Sequence, residues 1–514
     1  MPKLGIDFGT TNSVAVAYDK KKHLFTYFNF EDGVPSPISS TIEFHDNATI
    51  VGSQARDRMA RFADVDGYYY ERSVKSKIGS DEKVYVFGER KEPEEIASII
   101  LKNLKNQAIN EADALKARVD MNNAVFTVPI NFNGKARRTL RKSANDAGID
   151  VISFIHEPFA AIIGSLFTDE RYDTSDAVIE KIKELDNKNF LVFDYGGGTL
   201  DITVVRNEKG RLLELGTSEL SGQAGDKFDE MIAKYVWNAF IDDYSSKYSI
   251  DYLESKRKEK WRRLLAIAER CKIELSSKES SAFLLNSVTG INEDIRNTIS
   301  RNDFENIISS ILDATCNKID EALLSAKMQP QDIDIVLLTG GTCNIPAIQK
   351  RIIDKFGSRV KTAKDSALVI AQGAAVIAEM GWLPFLTKDI RIVLSDGSYW
   401  AMFESEQPIA TEDKSAHNEE VFSCVDQRQK RAKIIIDEGY GQEEGKTLCV
   451  LNVPTLGDYR FGDDIEISGD IDKDIVLTIR AHSKMVYDYR VKYSKEKKAE
   501  IYQLCFGLDL SERR

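Results

Sequence analysis

Apolar runs alternate with longer stretches of helical periodicity up to about residue 385. Runs rich in β-branched residues predict strands at 4–9, 14–18, 124–129, 190–194, 201–205 and 334–340. The segments between them carry apolar residues at helical spacing and predict helices within 93–116, 134–148, 225–245 and 255–276. Strands that alternate with helices in this way are typical of α/β folds.

From about residue 388 the pattern changes to short runs in which apolar and polar residues alternate. The turn sequences Asp396-Gly397, Gly457-Asp458 and Gly462-Asp463 separate several of these runs. Many short strands with such spacing predict a β-sandwich or a barrel. We therefore expect an α/β domain over 1–383, a linker over 384–388 and an all-β domain over 389–510.

The composition argues against nucleic-acid binding, membrane binding and secretion. Lys and Arg number 70 and Asp and Glu number 82, so the formal net charge of the 514 residues is −12. Because nucleic-acid and membrane-surface binders usually carry clustered positive charge, we expect neither partner. No apolar run reaches the roughly 18 residues of a membrane span, and no secretory pattern opens the chain. The six scattered cysteines lack a C-x-x-C pair, which is typical of reduced thiols in the cytoplasm.

Two segments that lie far apart in the chain share one sequence pattern, an internal echo of residues 4–16 in residues 191–205. Residues 4–16 read LGIDFGTTNSVAV, and residues 191–205 read LVFDYGGGTLDITVV. Each segment is an apolar strand that ends in aspartate, followed by a Gly/Thr turn and a second β-rich strand. Repetition at this separation indicates two similar halves rather than a short-period repeat.

The residue types in these turns suit a phosphate group. Glycine lets backbone N–H groups approach an anion without a Cβ in the way, and successive N–H groups form an anion-binding nest. Thr10, Thr11 and Thr199 can add hydroxyl donors. Asp7 and Asp194, at the strand ends, can hold a hydrated Mg²⁺. Either turn alone could be an ordinary hairpin, but the matching pair predicts two loops that hold a polyphosphate between two lobes.

A third glycine site differs from the first two. The segment LLTGGTCNIPAIQKRI at 337–352 predicts a strand, a Gly-Gly pair and then a helix with Pro346 in its first turn. Such a backbone can approach a flat or anionic group at the helix N-terminus. Neither of the first two turns leads into a helix, so they differ from a P-loop and from a dinucleotide fingerprint. The small residues of GAAV at 373–376 indicate close helix packing.

The motifs DFGTTN, DYGGGTLD and TGGT, in this order, resemble those of the actin-like ATPases, which include actin, sugar kinases and the 70-kDa heat-shock chaperones. Segments 73–79, 124–148, 155–164 and 268–277 are similar to the heat-shock chaperones specifically. The resemblance covers most of residues 3–380 and continues more weakly into the β-rich part. It implies a two-lobed actin-like (ribonuclease H-like) ATPase domain, followed by a C-terminal β-sandwich that binds substrate or a partner.

The resemblance also implies roles for single residues. Asp7 and Asp194 would hold Mg²⁺ through water. Catalytic roles are implied for Lys75, Glu157, Asp194, Thr199 and Asp201. Contacts to ATP or ADP are implied for Gly9, Thr10, Thr11, Asn12, Gly196, Gly197, Gly198, Glu269, Lys272, Ser276, Gly340, Gly341 and Asn344. Pro129 and Arg137 resemble a relay that links the nucleotide state to the β domain.

Simpler interpretations of some of these residues stay open. Glu269, Lys272 and Ser276 follow the spacing i, i+3, i+7 and can line one helix face, which could equally be a solvated surface. Lys75 and Glu157 could each belong to a surface ion pair. Phosphoryl transfer to water needs positioning and charge neutralisation more than a strong base, and the set of residues suits that requirement.

The sequence departs from the chaperone pattern at several places. Asn344 occupies the position of an arginine that stacks on adenine, and asparagine stacks poorly. Ser153 occupies the position of an arginine that contacts J-domain partners, which argues against an ordinary J-domain co-chaperone. The linker segment, GWLPFLTKDIRIVL, lacks the usual short leucine run bounded by aspartate. Since only eight residues follow Phe506, we expect no helical lid.

These features favour a chaperone that hydrolyses ATP slowly and couples its nucleotide state to peptide binding by a lidless β domain. An unfolded or extended polypeptide, a J-domain co-chaperone and a nucleotide exchange factor are the partners that the resemblance implies. The alternative is a regulatory or scaffold protein that binds ATP with little turnover and docks a fixed protein partner. A sugar kinase is a third hypothesis, and the β-only tail counts against it.

Overall fold

The computed structural model describes residues 1–31, 33–46, 48–288, 293–363, 365–407, 409–411, 414–424, 429–456 and 463–511. The predicted turn at Gly457-Asp458, and the glycine of Gly462-Asp463, lie outside these described residues. Within the described ranges the chain forms two α/β halves and a third part made of β-strands. No helix there combines the length and the apolar character that crossing a membrane requires.

The first half spans residues 3–184. Its strands are β1 (Lys3–Phe8), β2 (Asn12–Asp19), β3 (Leu24–Tyr27), β4 (Phe30–Glu31), β5 (Val34–Pro35), β6 (Ile38–Ser39), β7 (Ile42–His45), β8 (Ala48–Val51), β9 (Tyr68–Glu71), β10 (Val84–Val86), β11 (Glu89–Lys91), β12 (Asp120–Val128) and β13 (Asp150–His156). Its α-helices are α1 (Ser53–Phe62), α2 (Pro93–Leu115), α3 (Gly134–Asp146), α4 (Glu157–Phe167) and α5 (Ser175–Glu184). A 3₁₀ turn covers Val74–Lys77.

The second half spans residues 189–380. Its strands are β14 (Asn189–Tyr195), β15 (Thr199–Glu208), β16 (Arg211–Ser221), β17 (Ser280–Val288), β18 (Glu293–Ser300), β19 (Ile335–Thr339) and β20 (Val360–Thr362). Its α-helices are α6 (Gly225–Tyr244), α7 (Ile250–Leu275), α8 (Arg301–Ser325), α9 (Pro346–Phe356) and α10 (Val369–Met380). Further 3₁₀ turns lie at Pro330–Asp332, Gly341–Asn344 and Gly357–Arg359. The four helices predicted from apolar spacing are therefore confirmed as α2, α3, α6 and α7.

Helix α2 illustrates how local sequence sets an element. Pro93 occupies its first turn, where the missing N–H has no intrahelical partner to lose. The side chains of Glu92 and Glu95 each accept a bond from the other's backbone, which forms a capping box. The helix ends before Lys116, whose φ of 54° is left-handed.

The two halves repeat one strand arrangement. In the first sheet, with the order β13-β12-β1-β2-β3, β1 is antiparallel to β2 and parallel to β12. In the second sheet, β14 is antiparallel to β15 and parallel to β19. The registers pair Asp7 with Thr127 in the first sheet and Asp194 with Thr339 in the second. The internal echo in the sequence is therefore a structural repeat, and the Asp–Thr pair belongs to it.

Helices α4 and α10 cross at the centre of the α/β part at very short range. A Cβ placed on Gly373 would lie 1.8 Å from the carbonyl oxygen of Ala160, and one placed on Gly164 would lie 2.0 Å from that of Val369. On its other side, α10 packs against β1, where a Cβ on Gly5 would lie 2.0 Å from the backbone nitrogen of Ala375. The small residues of GAAV thus serve the close packing that the sequence indicates.

The third part contains β21 to β32. Its strands are β21 (Leu383–Leu386), β22 (Asp389–Val393), β23 (Tyr399–Phe403), β24 (Ala410–Thr411), β25 (Lys414–Ser423), β26 (Arg431–Gly439), β27 (Lys446–Pro454), β28 (Asp464–Ile471), β29 (Leu477–Tyr487), β30 (Arg490–Tyr493), β31 (Lys497–Ile501) and β32 (Phe506–Asp509). One sheet has the order β23-β22-β26-β27, and the other has the order β24-β25-β28-β29-β30, with β31 also on β29. The two sheets share one apolar core, to which Ile392, Ile436, Ile467 and Ile479 belong.

The predicted fold class is therefore confirmed, with two similar α/β halves followed by an all-β sandwich. The predicted limits of 1–383, 384–388 and 389–510 stay predictions, because strand pairing alone does not divide a chain into domains. Strands β21 and β32 extend the second α/β sheet in the order β20-β19-β14-β15-β16-β32-β21.

Helix α3 joins the first half to the β-sandwich. Arg137 is buried, and its Nε donates to the carbonyl of Asp474 at 2.7 Å. Arg138 and Arg141 form ion pairs with Asp472 and Asp474, each at 2.7 Å. Because the Arg137 guanidinium ends on backbone carbonyls of the sandwich, the contact depends on where that backbone lies.

We expect Gly373→Ala to destabilise the protein by about 1–3 kcal/mol, because the added methyl group would overlap the backbone of α4. Urea unfolding followed by circular dichroism would measure the loss. Gly341→Ala is a matched control, since nothing lies within 4 Å of a Cβ at that position. Equal stability of the two variants would show that α4 and α10 are not packed at this distance.

Candidate active site

A cleft of ≈ 1030 Å³ lies between the two α/β halves. All three predicted glycine turns reach it, and so do side chains from both halves. The predicted site residues that line it are Asp7, Gly9, Thr10, Thr11, Asn12, Lys75, Glu157, Asp194, Gly196, Gly197, Thr199, Glu269, Lys272, Ser276, Gly340, Gly341 and Asn344. Residues from 7 to 344 in the sequence thus converge on one space.

The turn of β1–β2 faces the turn of β14–β15 across the cleft. A Cβ on Gly197 would lie 2.0 Å from Thr11 Oγ1, and one on Gly198 would lie 3.5 Å from Thr10 Oγ1. The absence of a Cβ at Gly197 therefore leaves room for the two turns to come this close. Thr11 Oγ1 is buried and has no hydrogen-bond partner among the described residues, so this hydroxyl is available to a ligand oxygen.

Hydrogen bonds from the start of α6 and from the Thr342 side chain hold the Gly196–Gly198 turn. The carbonyl of Gly196 accepts from Gly225 N at 3.2 Å and from Thr342 Oγ1 at 2.8 Å. The carbonyl of Gly197 accepts from Asp226 N at 2.7 Å. These bonds fix the turn from behind.

A buried ion pair lies on the floor of the cleft. Lys75, from the 3₁₀ turn, donates through Nζ to Glu157 Oε1 at 2.8 Å, and Glu157 is the first residue of α4. A carboxylate at this position also interacts favourably with the helix dipole. Burial by itself would lower the pKa of Lys75, but the charges of Glu157 and Asp7 outweigh burial and raise it. Lys75 therefore remains a cation, and the surface ion-pair interpretation does not fit this buried pair.

Three further carboxyl groups surround the ion pair. Burial raises the pKa of Asp7 to about 6, although the charge of Lys75 opposes the shift. Burial, and then repulsion from Glu157, raise the pKa of Asp201 to about 7. The pKa of Asp194 rises well above its ordinary value because Asp194 is buried close to Glu157 and Asp201. The floor thus concentrates more acidic groups than its single lysine can neutralise.

The two aspartates at the strand ends occupy equivalent positions. Thr127 Oγ1 donates to Asp7 Oδ1 at 3.0 Å, and Thr339 lies beside Asp194 in the equivalent register. This repeat places one carboxylate on each side of the cleft floor, where both could bind the water shell of a divalent cation.

Two predicted residues lie beside the main cleft rather than on its wall. Asp201 shares a small adjoining pocket with Glu157, Asp194 and Pro129. Gly198 stands behind the turn, next to Thr10. Their predicted roles, and those of the other site residues, stay predictions.

At the far end of the cleft, α7 brings two of the predicted base-binding residues into ionic contacts. Lys272 Nζ lies 2.8 Å from Asp229 Oδ1 and donates to the carbonyl of Gly225 at 2.9 Å. Glu269 accepts from Arg72 Nη2 at 3.1 Å. Burial raises the pKa of Asp229 to about 7, against the opposing charge of Lys272. These contacts make the wall here a charged network rather than a solvated helix face.

The third glycine turn closes the opposite wall. Gly340 has a φ of +82°, and a Cβ there would lie 2.4 Å from the carbonyl oxygen of Tyr195. Nothing lies within 4 Å of a Cβ on Gly341, which is therefore open to the cleft. Asn344 Oδ1 accepts from Ser366 Oγ at 3.3 Å.

Sequence reasoning missed Arg72 and Asp229. Arg72 lies three residues before Lys75 in an irregular segment, where no periodicity indicates the direction of a side chain. Asp229 could have been found from the sequence, because it is an acidic residue on the apolar face of α6, next to Phe228, where it is buried. A buried acid without an apparent partner in the sequence predicts an ion pair or a functional site.

The raised pKa values of these carboxyl groups predict how the stability of the fold changes with pH. A carboxyl with a raised pKa binds protons more tightly in the folded state, so stability falls as the pH rises from the unfolded to the folded pKa. For Asp201 this window runs from 3.8 to about 7. We expect Asp201→Asn to raise the free energy of unfolding at pH 8, in EDTA, by on the order of 1 kcal/mol, with little change at pH 4.

Urea unfolding at the two pH values would measure this difference. Asp81→Asn is the control, because the Asp81 side chain is fully exposed. If Asp201→Asn gained no stability at pH 8, the crowding of acids on the cleft floor would not cost folding energy.

Comparison with known proteins agrees with this geometry. The sequence matches the family model described as Hsp70 protein over residues 3–501. The chaperone protein DnaK of Thermoplasma acidophilum is 30% identical over 500 residues, which cover 94% of this chain and 76% of the relative. DnaK of Thermotoga maritima is 28% identical over 496 residues, which cover 93% of this chain and 78% of the relative.

Some matches cover less of the relative. DnaK of Thermosipho melanesiensis is 30% identical over 379 residues, or 73% of this chain and 58% of the relative. The chain thus spans less than two thirds of that protein. The family match itself extends through both α/β halves and nearly all of the β-sandwich, and it shows that the chain belongs to the Hsp70 family.

Proposed function

We propose that this protein binds ATP with Mg²⁺ in the cleft and hydrolyses it to ADP and phosphate. The main support is the buried Lys75–Glu157 pair, which lies among Asp7, Asp194 and Asp201 where two equivalent hairpins face each other. In phosphoryl transfer to water, catalysis comes largely from positioning and from neutralising charge. A fixed cation among carboxylates, between two glycine turns, supplies both.

The acidic groups fit a divalent cation. Asp7, Asp194 and Asp201 have raised pKa values because they are buried together, and a cation would remove that repulsion. Asp7 and Asp194 would hold Mg²⁺ through its water shell, one from each half. Bound there, Mg²⁺ would neutralise charge on the phosphate oxygens.

The residues around the phosphates have complementary tasks. The turns at Gly9–Asn12 and Gly196–Thr199 would donate backbone N–H groups and hydroxyl groups to phosphate oxygens. Lys75 would attract the terminal phosphate as a cation. Glu157 and Asp201 would orient the attacking water, and with a pKa of about 7 Asp201 can hold a proton near neutral pH.

The adenosine would lie between α7 and the third glycine turn. Glu269, Lys272 and Ser276 line one wall, and Gly340, Gly341 and Asn344 line the other. Because Gly341 carries no side chain and opens to the cleft, a flat base can approach the backbone there. Lys272 and Glu269 already pair with Asp229 and Arg72, so binding a ribose would require these contacts to be shared or exchanged.

We further propose that the β-sandwich binds an extended polypeptide and that the nucleotide state alters this binding. Arg137 supports this coupling, because Pro129 lines the cleft and Arg137, eight residues later, ends on carbonyls of the sandwich. ATP and ADP must favour different arrangements for such coupling to occur. A J-domain co-chaperone, an exchange factor and a cytoplasmic location belong to the same proposal.

A scaffold that binds ATP with little turnover is the second candidate. Asn344 bonds to Ser366 and offers no planar cation for the base. Ser153 is buried, where a J-domain partner would need an accessible contact. These two positions favour a protein that docks one fixed partner.

ATP turnover separates the two candidates. We expect Lys75→Ala and Thr199→Ala to lower steady-state ATP hydrolysis by about 10- to 100-fold, because each removes a group that contacts the phosphates in the transition state. Lys102→Ala, on the exposed face of α2, should hydrolyse ATP like the unmodified protein. If the unmodified protein is no faster than the first two variants, the ATPase proposal is wrong and the scaffold is favoured.

Peptide release tests the coupling. We expect a labelled extended peptide to dissociate at different rates in ATP and in ADP, and we expect Arg137→Gln to reduce this difference, because it removes the bonds to the sandwich backbone. Fluorescence anisotropy would measure both rates. The control is Arg118→Gln, at an exposed arginine in the same half. Identical rates with the two nucleotides would contradict the coupling.

A further inference from the structure

Strand β32 occupies an unexpected place between the two parts of the protein. It pairs antiparallel with β16 on one edge, where Leu508 lies opposite Leu212, and antiparallel with β21 on the other, where Leu508 lies opposite Pro384. Strand β21 lies in the segment that joins the α/β part to the sandwich. Among the described strands, β21 therefore reaches the α/β sheet through β32 and not by pairing with β16 itself.

The backbone of β21 is held on both edges. On the side away from β32, Leu386 N donates to the carbonyl of Gln407 at 3.1 Å, and Glu406 N donates to the carbonyl of Leu386 at 2.7 Å. Gly507 permits the close approach on the β32 side, since a Cβ there would lie 2.5 Å from the carbonyl oxygen of Leu212 and 2.8 Å from the Phe385 ring. The three strands thus fit together only with glycine at this position.

The side chains of β32 belong to two different cores. Leu508 is fully buried in the apolar cluster around α4 and α10, together with Leu510 and Trp382. Phe506 belongs to the core of the sandwich. Its ring also lies 3.8 Å, between centroids, from that of His156, the residue directly before Glu157. One short strand therefore links the sandwich core to the α/β core beside the floor of the cleft.

The Arg211 side chain extends from β16 across β32. It lies on β16 opposite Asp509, and its guanidinium reaches past β32 to Glu406 at 2.7 Å. The same guanidinium lies 5.4 Å from the centre of the Phe385 ring on β21. Arg211 thus connects β16 to β21 across β32.

We propose that β32 is a detachable strap, which holds β21 on the α/β sheet and must leave that sheet for the sandwich to separate from it. Because β21 has no pairing with β16 of its own, β21 and β32 leave as one unit. This device rests on strand pairing and does not depend on whether the protein hydrolyses ATP.

Paired cysteines test the strand order. Directly opposite residues on neighbouring antiparallel strands have Cα atoms about 4.5–5.5 Å apart, within reach of a disulfide, whereas residues two strands apart are about 9–10 Å from each other. We expect Arg211→Cys with Asp509→Cys to cross-link on mild oxidation, and Arg211→Cys with Leu383→Cys to remain reduced. Peptide mass mapping, with each single variant as control, would identify the bond. The opposite outcome would place β21 directly on β16 and overturn the proposal.

A second experiment tests the release. We expect Leu508→Asp to expel β32 from its apolar site, to speed hydrogen exchange at Leu212, which pairs with Leu508, at least about tenfold, and to speed tryptic cleavage after Lys388 similarly. Ser511→Asp adds the same charge at an exposed position nearby and should change neither rate. The Arg211–Asp509 disulfide should slow both.

Separate behaviour of the two strands would contradict the strap. If exchange rose at Leu212 but cleavage after Lys388 stayed slow, then β21 would have its own hold on the α/β part. Should Leu508→Asp fail to fold, Gly507→Ala offers a smaller change at the same pairing, because it adds one methyl group against the carbonyl oxygen of Leu212. The disulfide experiment, which needs no core substitution, decides the strand order in either case.

Discussion

The acidic groups on the cleft floor are partly neutralised by one buried lysine, Lys75. Lys75 belongs to the first half, yet the charges that keep it protonated include Asp194 from the second half. Without this cation, the acidic groups on the cleft floor would repel one another across the space that separates the halves. These groups are Asp7, Glu157, Asp194 and Asp201. The closeness of the two hairpins and the ability of the cleft to hold a polyphosphate therefore rest on the same balance of charge.

Much of this architecture is encoded locally and could be predicted. The two strand–turn–strand segments could be predicted because a hairpin needs only residues that are neighbours in sequence, and because the same Gly/Thr turn occurs twice after an aspartate. Apolar spacing predicted helices within 93–116 and 255–276, which correspond to Pro93–Leu115 and Ile250–Leu275 in the structure. That Lys75 and Glu157 join the glycine turns was predicted only through the family resemblance, since nothing in their spacing dictates that they meet.

What remained hidden depends on contacts between distant segments. Arg72 and Asp229 complete the charged wall at α7, but their partners lie in other elements, and a single sequence does not indicate such pairings. Strand β32 lies within the region predicted as all-β, 389–510, but its place in the α/β sheet was not predicted. Its four residues are too few to indicate which sheet they join, and two sheets offered an apolar surface for them.

The crossing of α4 and α10 limits how the halves can move. Each helix meets the other backbone to backbone at Gly164 and Gly373, and α10 is seated with equal closeness on β1. Sliding one half along the other would drive these backbones into each other, whereas turning about the crossing would leave them in contact. The cleft should therefore open by rotation of the two halves about the α4–α10 crossing, with the pivot at Gly164 and Gly373. Glu157 begins α4 next to that pivot, so it should travel the least while the outer walls swing apart.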